Sequence, residues 1–476
     1  MGPPDISCAT DGVACNPMLV RLGRDNAGEG GQPSPRVVVN ATRFSRWACT
    51  IGTIDDAVVD QVDFRDDDDD DWHPGRVVAT VNLLEDQPAY SQLLSTSGRR
   101  DGETSRRPIL LVLDVGAVDG PGSPAASPAR TLAMGDALTV TGFPFPQLLG
   151  RKFPSTHRAT VSCALPPSGM VLLDASVAMG GLDGAALRLD GEVVGMLGET
   201  VAHGASGARW VVGWDLSIII DKCMRGRTAR RVARPLHIPA RGPVERTLSR
   251  LVSVHVDDTF ASGFVIGRRG GEAIVCTNAH AIRTSMDPLS VLIRRVDGTM
   301  YGATCWASFG GILDLAFLLA RIPVNDDDIS APLSPSSTGR AVFAIGFPGM
   351  WNPKLDPSSP LSAPKLTAGT ITSVLDDDRG RCCLTTDCRI VEGNSGSPIV
   401  DARDGRLVGM ASSNAVIISR APGEPRTYHP ELNFCVPGLL LTETLLTCLA
   451  AGPEAARAAL AARHIDRLMW GTPSKL

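Results

Sequence analysis

Most of the chain repeats one pattern, in which short runs of β-branched residues or leucine are bounded by Gly, Pro or Asp. Runs this short, without a 3.6-residue period, are typical of strands in a barrel or sandwich rather than of alternating strands and helices. The pattern therefore predicts an all-β fold. The runs that predict strands lie at 37–39, 47–51, 77–81, 109–113, 138–141, 170–173 and 251–254.

Two stretches without this pattern suggest where the chain divides. Residues 1–36 are rich in Gly, Pro, Ser and Asp and are predicted to be a flexible arm. Residues 221–247 alternate arginines with prolines and are predicted to be an exposed linker. Helical spacing near the end, broken at Gly452-Pro453, predicts a short helical tail with Arg463 facing solvent. We therefore expect domains at 37–220 and 248–450, followed by a tail at 451–476.

Composition narrows the function classes. The chain has 476 residues, 43% hydrophobic and 20% charged, which suits two or three globular domains. A net charge of −5 gives no electrostatic case for nucleic acid, and no apolar run is long enough for a membrane span. The start lacks a secretory signal, so the twelve cysteines are expected to be free thiols. Their spacing matches no metal signature, and no cofactor or metal is expected.

One glycine-flanked serine carries the chemistry. Residues 391–400 read Val-Glu-Gly-Asn-Ser-Gly-Ser-Pro-Ile-Val, which places Ser395 between Gly393 and Gly396. Glycines allow a sharp turn, and the amides of Gly393 and Ser395 could then point at one spot to form an oxyanion hole, in a loop that includes Asn394. A turn without chemistry is the alternative, because serine needs a base and a group that orients the base.

The two missing partners occur upstream, each next to an apolar strand. His280 follows the run 273–277, and Asp314 precedes the run 315–319. A carboxylate there can fix the imidazole tautomer while the other ring nitrogen faces the serine. The order His280, Asp314, Ser395 is that of chymotrypsin-like enzymes and not of subtilisins or α/β-hydrolases.

Residues 253–437 resemble trypsin-like serine proteases of the Deg/HtrA branch. The similar motifs are Thr277-Asn278-Ala279-His280, Asp314-Leu315-Ala316, Ala344-Ile345-Gly346-Phe347-Pro348, Gly369-Thr370-Ile371-Thr372-Ser373, Thr386-Asp387, Gly393-Asn394-Ser395-Gly396 and Leu407-Val408-Gly409-Met410. The resemblance implies a catalytic domain of two β-barrels. Ser397 departs from the branch, which usually has glycine there, and its Cβ is expected to crowd the turn. Candidates for the substrate pocket are Arg389, Glu392, Ser412 and Asn414.

The first half of the chain echoes the second. Gly181-Leu182-Asp183-Gly184 corresponds to Gly393-Asn394-Ser395-Gly396, and the sequence after each turn also corresponds. Asp183 thus stands where the nucleophile would be. We expect two tandem chymotrypsin-like double barrels, of which the first is degenerate and the second catalytic.

The last three residues suggest a location. Ser474-Lys475-Leu476 is a peroxisomal address read by an import receptor. With this tail, the chain most resembles the peroxisomal (glyoxysomal) leader-processing members of the branch. That resemblance implies removal of N-terminal PTS2 leaders, near a cysteine, from imported matrix proteins. A non-catalytic peptide-binding or chaperone-like protein, a general Deg quality-control protease, and a homodimer stay open.

Overall fold

The computed structural model consists mainly of antiparallel strands that close into four six-stranded barrels. The chain forms two compact units, one within residues 1–230 and the other mainly within 231–476. Side chains are described only from residue 132 onward. The described residues are 18–23, 37–44, 47–54, 61–65, 73–82, 107–114, 132–143, 155–165, 168–175, 182–202, 209–216, 240–257, 259–282, 291–311, 313–323, 333–334, 336–348, 362–417 and 427–463.

The first unit contains two of the barrels, with strand orders β1-β2-β3-β6-β5-β4 and β7-β8-β9-β12-β11-β10. The second barrel is filled by inward-facing aliphatic side chains such as Val140, Val161 and Leu187. The strands are β1 Met18–Gly23, β2 Val37–Phe44, β3 Trp47–Ile54, β4 Gln61–Arg65, β5 His73–Asn82, β6 Arg107–Asp114, β7 Ala137–Gly142, β8 Ser155–Leu165, β9 Met170–Ala175, β10 Ala186–Leu189, β11 Glu192–Ala202 and β12 Arg209–Asp215.

The second unit repeats this arrangement, with orders β13-β14-β15-β18-β17-β16 and β19-β20-β21-β24-β23-β22. Its strands are β13 Leu251–Val256, β14 Thr259–Arg269, β15 Glu272–Thr277, β16 Val291–Arg295, β17 Met300–Phe309, β18 Leu315–Ala320, β19 Ala341–Gly346, β20 Lys365–Asp377, β21 Gly380–Thr386, β22 Pro398–Asp401, β23 Leu407–Ile417 and β24 Thr427–Pro437. Its helices are α1 Pro243–Arg250, α2 Ala279–Ile282, α3 Gly438–Ala451 and α4 Pro453–Ala461.

All four barrels share one connectivity, in which the third strand pairs with the sixth and the first with the fourth. Closure leaves no unpaired sheet edge, and the three barrels with described side chains each bury a core of Val, Ile, Leu and Ala. This confirms the predicted fold class of tandem double barrels with a short helical tail. Apart from the two corrected below, the domain boundaries stay predictions.

Two boundary predictions need correction. The predicted arm contains β1, which pairs with β2 and β4. The short run Met18-Leu19-Val20 was hidden by the Gly- and Pro-rich residues around it. The predicted linker ends in α1, which begins with Pro243 in its first turn and continues past the predicted boundary at 247. Proline is compatible with the first turn of a helix, so a proline-rich stretch does not exclude one.

The helical tail was predicted, but the environment of Arg463 was not. Its guanidinium is buried and forms a two-pronged ion pair with Asp377, with two N···O distances of 2.8 Å. It also reaches Glu443 on α3 at 3.3 Å. The pair lowers the pKa of Asp377 through the hydrogen bonds from Arg463. The helical period suggested a solvent-facing arginine because sequence does not show the hairpin that covers it.

None of the helices in the described part of the chain is long and apolar enough to cross a membrane. The aspartate run 66–71 and the tail residues Ser474, Lys475 and Leu476 lie outside the described residues.

Candidate active site

His280 and Asp314 meet at the ends of neighbouring strands. β15 and β18 pair side by side, and their ends carry His280, on the short helix α2, and Asp314. His280 Nδ1 lies 2.5 Å from Asp314 Oδ2, and the His280 amide donates to Oδ1 at 2.8 Å. A carboxylate only accepts, so Nδ1 carries the proton and Nε2 is left as the basic nitrogen. The imidazole is 49% exposed, whereas the Asp314 side chain is only 14% exposed.

The backbone of Asp314 is held in an unusual conformation. Its φ of +45° lies in the left-handed region, which non-glycine residues rarely adopt. Its carbonyl oxygen accepts from the side chain of Asn278 at 2.8 Å and from the amide of Ala279 at 3.0 Å. These two bonds tie the Asp314 turn to the residues just before His280.

The loop before β22 holds Ser395 in a tight turn. Gly393 and Gly396 have φ of +90° and +83°, which a residue with a Cβ would adopt only under strain. A Cβ on Gly396 would also lie 2.1 Å from the carbonyl oxygen of Ser262. The Ser395 side chain is half-buried, and within the described residues it makes no hydrogen bond to His280. Such bonds are often long without substrate and tighten in the complex.

The amides of the loop are used alternately. The Asn394 amide donates to Val391 at 3.0 Å, and the Gly396 amide donates to Ala411 at 2.9 Å. Within the described residues, the amides of Gly393 and Ser395 have no acceptor. The two unused N–H groups are those an oxyanion hole requires. Including Asn394 among the oxyanion donors was wrong, because its amide already closes the turn.

Ser397 is accommodated because residue 346 is glycine. The Ser397 side chain is fully buried, and its Oγ is 1.8 Å from where a Cβ on Gly346 would stand. Neither Ser397 Oγ nor Asn394 Oδ1 has a hydrogen-bond partner among the described residues. The Ser397 side chain therefore occupies the space that a side chain at position 346 would need. Accommodating Ser397 leaves a buried hydroxyl without a partner among the described residues, which destabilises the core.

The four pocket candidates have different environments. Ser412 is buried, and its Oγ lies 3.5 Å from Asp314 Oδ2, so its hydroxyl faces the carboxylate that orients His280. Arg389 is half-buried and Glu392 is exposed. Asn414 lies in β23 opposite Asn433, and its side chain is outside the described set.

Two side chains that sequence reasoning missed hold the site. Asn433 on β24 donates to the carbonyl oxygen of Cys388 at 2.6 Å and to that of Thr386 at 3.3 Å, which fixes the segment before the nucleophile loop. Ser262 on β14 contacts the nucleophile loop directly. For Ser262 the available signal was a polar residue within the largely apolar run 260–266, whereas β24 contains several polar residues and gave no such signal for Asn433.

The arrangement contains the components for acyl transfer. A hydroxyl on a strained turn, an imidazole with its free nitrogen basic, an orienting carboxylate and two unused amides are those that serine nucleophiles use. Among the described residues, no group of three or more His, Cys, Asp or Glu could hold a metal ion.

Comparison with protein families agrees with this geometry. Residues 261–410 match the trypsin-like peptidase domain family. The matched segment contains His280, Asp314 and Ser395.

Curated relatives match the same part of the chain. The peroxisomal leader peptide-processing protease of Homo sapiens is 29% identical over 132 residues, which are 28% of this chain and 21% of that protein. The mouse protein of the same name is 28% identical over 132 residues, with the same coverage. The match thus spans about a fifth of the length of these relatives. The matches confirm the family resemblance predicted from the motifs.

Solved structures give similar matches at low identity. A serine endoprotease from Yersinia pestis is 21% identical, with 45% of this chain and 69% of that chain covered and a TM-score of 0.33. The HtrA-type protease AlgW with a tripeptide is 21% identical, with 44% and 63% covered and a TM-score of 0.34.

Proposed function

We propose that this chain is a serine endopeptidase that removes N-terminal PTS2 leaders from proteins of the peroxisome matrix. The observation that carries the proposal is the short bond between His280 and Asp314 inside a trypsin-like peptidase domain that also holds Ser395.

The reaction follows from the roles of these groups. His280 Nε2 takes the proton of Ser395 as its oxygen attacks the scissile carbonyl, and it returns that proton to the leaving amine. Asp314 keeps Nδ1 protonated and stabilises the imidazolium that forms. The amides of Gly393 and Ser395 bind the oxyanion. That amine is the new N-terminus of the shortened protein, which leaves at this step. Water then attacks the acyl-enzyme with the help of His280 and releases the leader.

Two independent features favour a peroxisomal leader as substrate. The curated relatives are named as peroxisomal leader peptide-processing proteases. The sequence of this chain ends in Ser-Lys-Leu, which import receptors of peroxisomes read. We therefore propose precursor proteins as the substrates of this chain and the import receptor as its binding partner.

The activity test uses the full chain and a precursor that carries its leader. The wild type should release the leader, and Ser395→Ala should lower kcat/KM by at least about 10³-fold. As a control, the Asp183→Asn variant changes the corresponding turn of the first unit, and it should process the precursor at the wild-type rate. Equal processing by wild type and Ser395→Ala would exclude a protease and leave a peptide-binding protein.

A second substrate separates leader removal from general proteolysis. The same precursor without its leader, and an unfolded protein of unrelated sequence, should be cleaved far more slowly, as mass spectrometry of the products would show. Equal rates on all three would indicate a general quality-control protease.

The location has a separate test. Deletion of Leu476 from a fluorescently tagged chain should move it from punctate peroxisomes to the cytosol. Unchanged puncta would exclude Ser-Lys-Leu as the address without affecting the proposed chemistry.

A further inference from the structure

Ser262 binds the nucleophile loop through both its backbone and its side chain. It lies on β14 in the first barrel of the catalytic unit and is completely buried. Its amide donates to the carbonyl oxygen of Ser395 at 2.8 Å, and its hydroxyl donates to the carbonyl oxygen of Gly393 at 2.8 Å. One residue of the first barrel thus holds two carbonyls of a loop that belongs to the second barrel.

The same residue also connects the other parts of the site. The Ser262 hydroxyl accepts from the amide of Phe347 at 2.8 Å, just after β19. Its carbonyl oxygen accepts from the hydroxyl of Thr277 at 2.8 Å, at the end of the strand that leads to His280. Ser262 therefore bonds both to the nucleophile loop and to the strand that carries the base.

The carbonyls that Ser262 holds determine where the neighbouring amides point. Each peptide unit is planar, so fixing its carbonyl and its N–H fixes its orientation. The unit between Gly393 and Asn394 is held by Ser262 Oγ and Val391, and the unit between Ser395 and Gly396 by the Ser262 amide and Ala411. The fixed units alternate with the units that carry the free amides of Gly393 and Ser395.

We propose that Ser262 is a positioning residue that preorganises the oxyanion hole by clamping the peptide units beside the Gly393 and Ser395 amides. This inference rests on the proposed serine protease chemistry. Oxyanion donors act through their fixed direction, and loss of one donor costs about 10²–10³ in kcat in other proteases. Loosening a unit beside the donors should cost less than removing a donor.

The test compares Ser262→Ala with Ser162→Ala in the full chain. Ser162 is also fully buried, but it lies in the first unit and its hydroxyl has no partner among the described residues. Ser262→Ala should lower kcat about 10- to 100-fold with KM changed less than about threefold. Ser162→Ala should leave both unchanged. Rates are divided by the active-site concentration, titrated to completion with a fluorophosphonate, so that misfolded protein is not counted.

A second readout separates positioning from loss of fold. A peptide boronate, which places an oxygen in the oxyanion hole, should bind Ser262→Ala at least about tenfold more weakly than wild type. The product peptide, which makes no such contact, should bind both equally. Equal loss for both ligands, or a change in KM alone, would overturn the proposal. If Ser395→Ala retains wild-type activity, the protease function itself fails, whereas an active Ser262→Ala with inactive Ser395→Ala rejects only the role of Ser262.

Discussion

The turn at 182–185 in the first unit and the turn at 394–397 in the second are the same structure with different chemistry. Gly184 and Gly396 have φ of +86° and +83°. Three backbone hydrogen bonds of 2.8–2.9 Å correspond one to one: Gly184 to Leu197 and Gly396 to Ala411, Ala185 to Leu182 and Ser397 to Asn394, and Leu197 to Ala185 and Ala411 to Ser397. The turn is therefore a feature of this barrel and not, by itself, of catalysis.

The side chains on the two turns separate the roles of the units. The second unit has Ser395 on this turn and also contains the His280–Asp314 pair, whereas the first unit has Asp183 at that position. After β3, the counterpart of β15, the sequence continues with Asp55-Asp56 and contains no histidine there. The difference teaches that this turn forms with either serine or aspartate, because the barrel needs the turn to connect its strands.

Moving the nucleophile from one unit to the other tests this difference most strongly. Ser395→Ala should abolish leader processing, and adding Asp183→Ser should restore none of it, because the sequence after β3 has no histidine to correspond to His280. The expected loss in kcat/KM is at least about 10³-fold in both variants. Product formation by mass spectrometry measures it. Activity recovered in the double variant would show that the first unit retains a working base.

The second-largest effect is expected at Gly346, which leaves space for Ser397 in the second unit. Gly346→Ala would place a Cβ 1.8 Å from Ser397 Oγ and should destabilise the second unit by about 3 kcal/mol. Ser397→Gly in the same chain should recover part of this loss, since Ser262 Oγ and Asn394 Oδ1 also lie within 3 Å of that Cβ. Urea unfolding of the single and double variants measures the coupling. Strict additivity would show that the two residues do not share this space.

Acid should affect the two units in opposite directions. Burial, and then the charge of Arg294, lowers the pKa of His255 to about 4. Its contribution to stability is complete above pH 6.5 and is lost as pH falls toward 4, about 2 kcal/mol between pH 7 and 5. Asp183 is an exposed residue by its surface area, but the protein packed around its carboxylate displaces water and raises its pKa to about 6. The contribution of Asp183 to the stability of the first unit is therefore present below pH 3.8 and is lost as pH rises through 6.

Hydrogen exchange resolves the two responses in one sample. Amides of β13–β18 should lose protection between pH 7 and 5 after correction for the intrinsic exchange rate. Amides of β7–β12 should keep or gain protection. His255→Gln should reduce the acid sensitivity of the second unit only. A parallel loss in both units would assign the effect to total charge.

The smallest effect is expected from Ser397→Ala, which gives the second turn the alanine found at 185 in the first. The substitution removes a buried hydroxyl that has no partner among the described residues. The second unit should become about 1 kcal/mol more stable, with kcat/KM within about twofold of wild type. Thermal unfolding measures the gain. A destabilised variant would indicate that the hydroxyl is bonded, for example through a buried water.

Sequence reasoning succeeded where a local pattern determines the outcome. Short apolar runs predicted the barrels. The small residues around His280, Asp314 and Ser395 suggested accessible positions, and the structure places the first two at strand ends and Ser395 in a turn. It failed where the answer depends on a distant segment. Arg463 fits a solvent-facing helical position until the hairpin at Asp377 covers it. Ser262 lies 131 residues before the carbonyl it holds, and no local period reports such a contact.

The left-handed backbone of Asp314 implies a trade-off between endurance and activity. A non-glycine residue at φ +45° carries a conformational cost, of about 1 kcal/mol, that glycine would not. The carboxylate that orients His280 cannot be supplied by glycine, so the chain tolerates a weaker fold at this turn in exchange for a correctly held base.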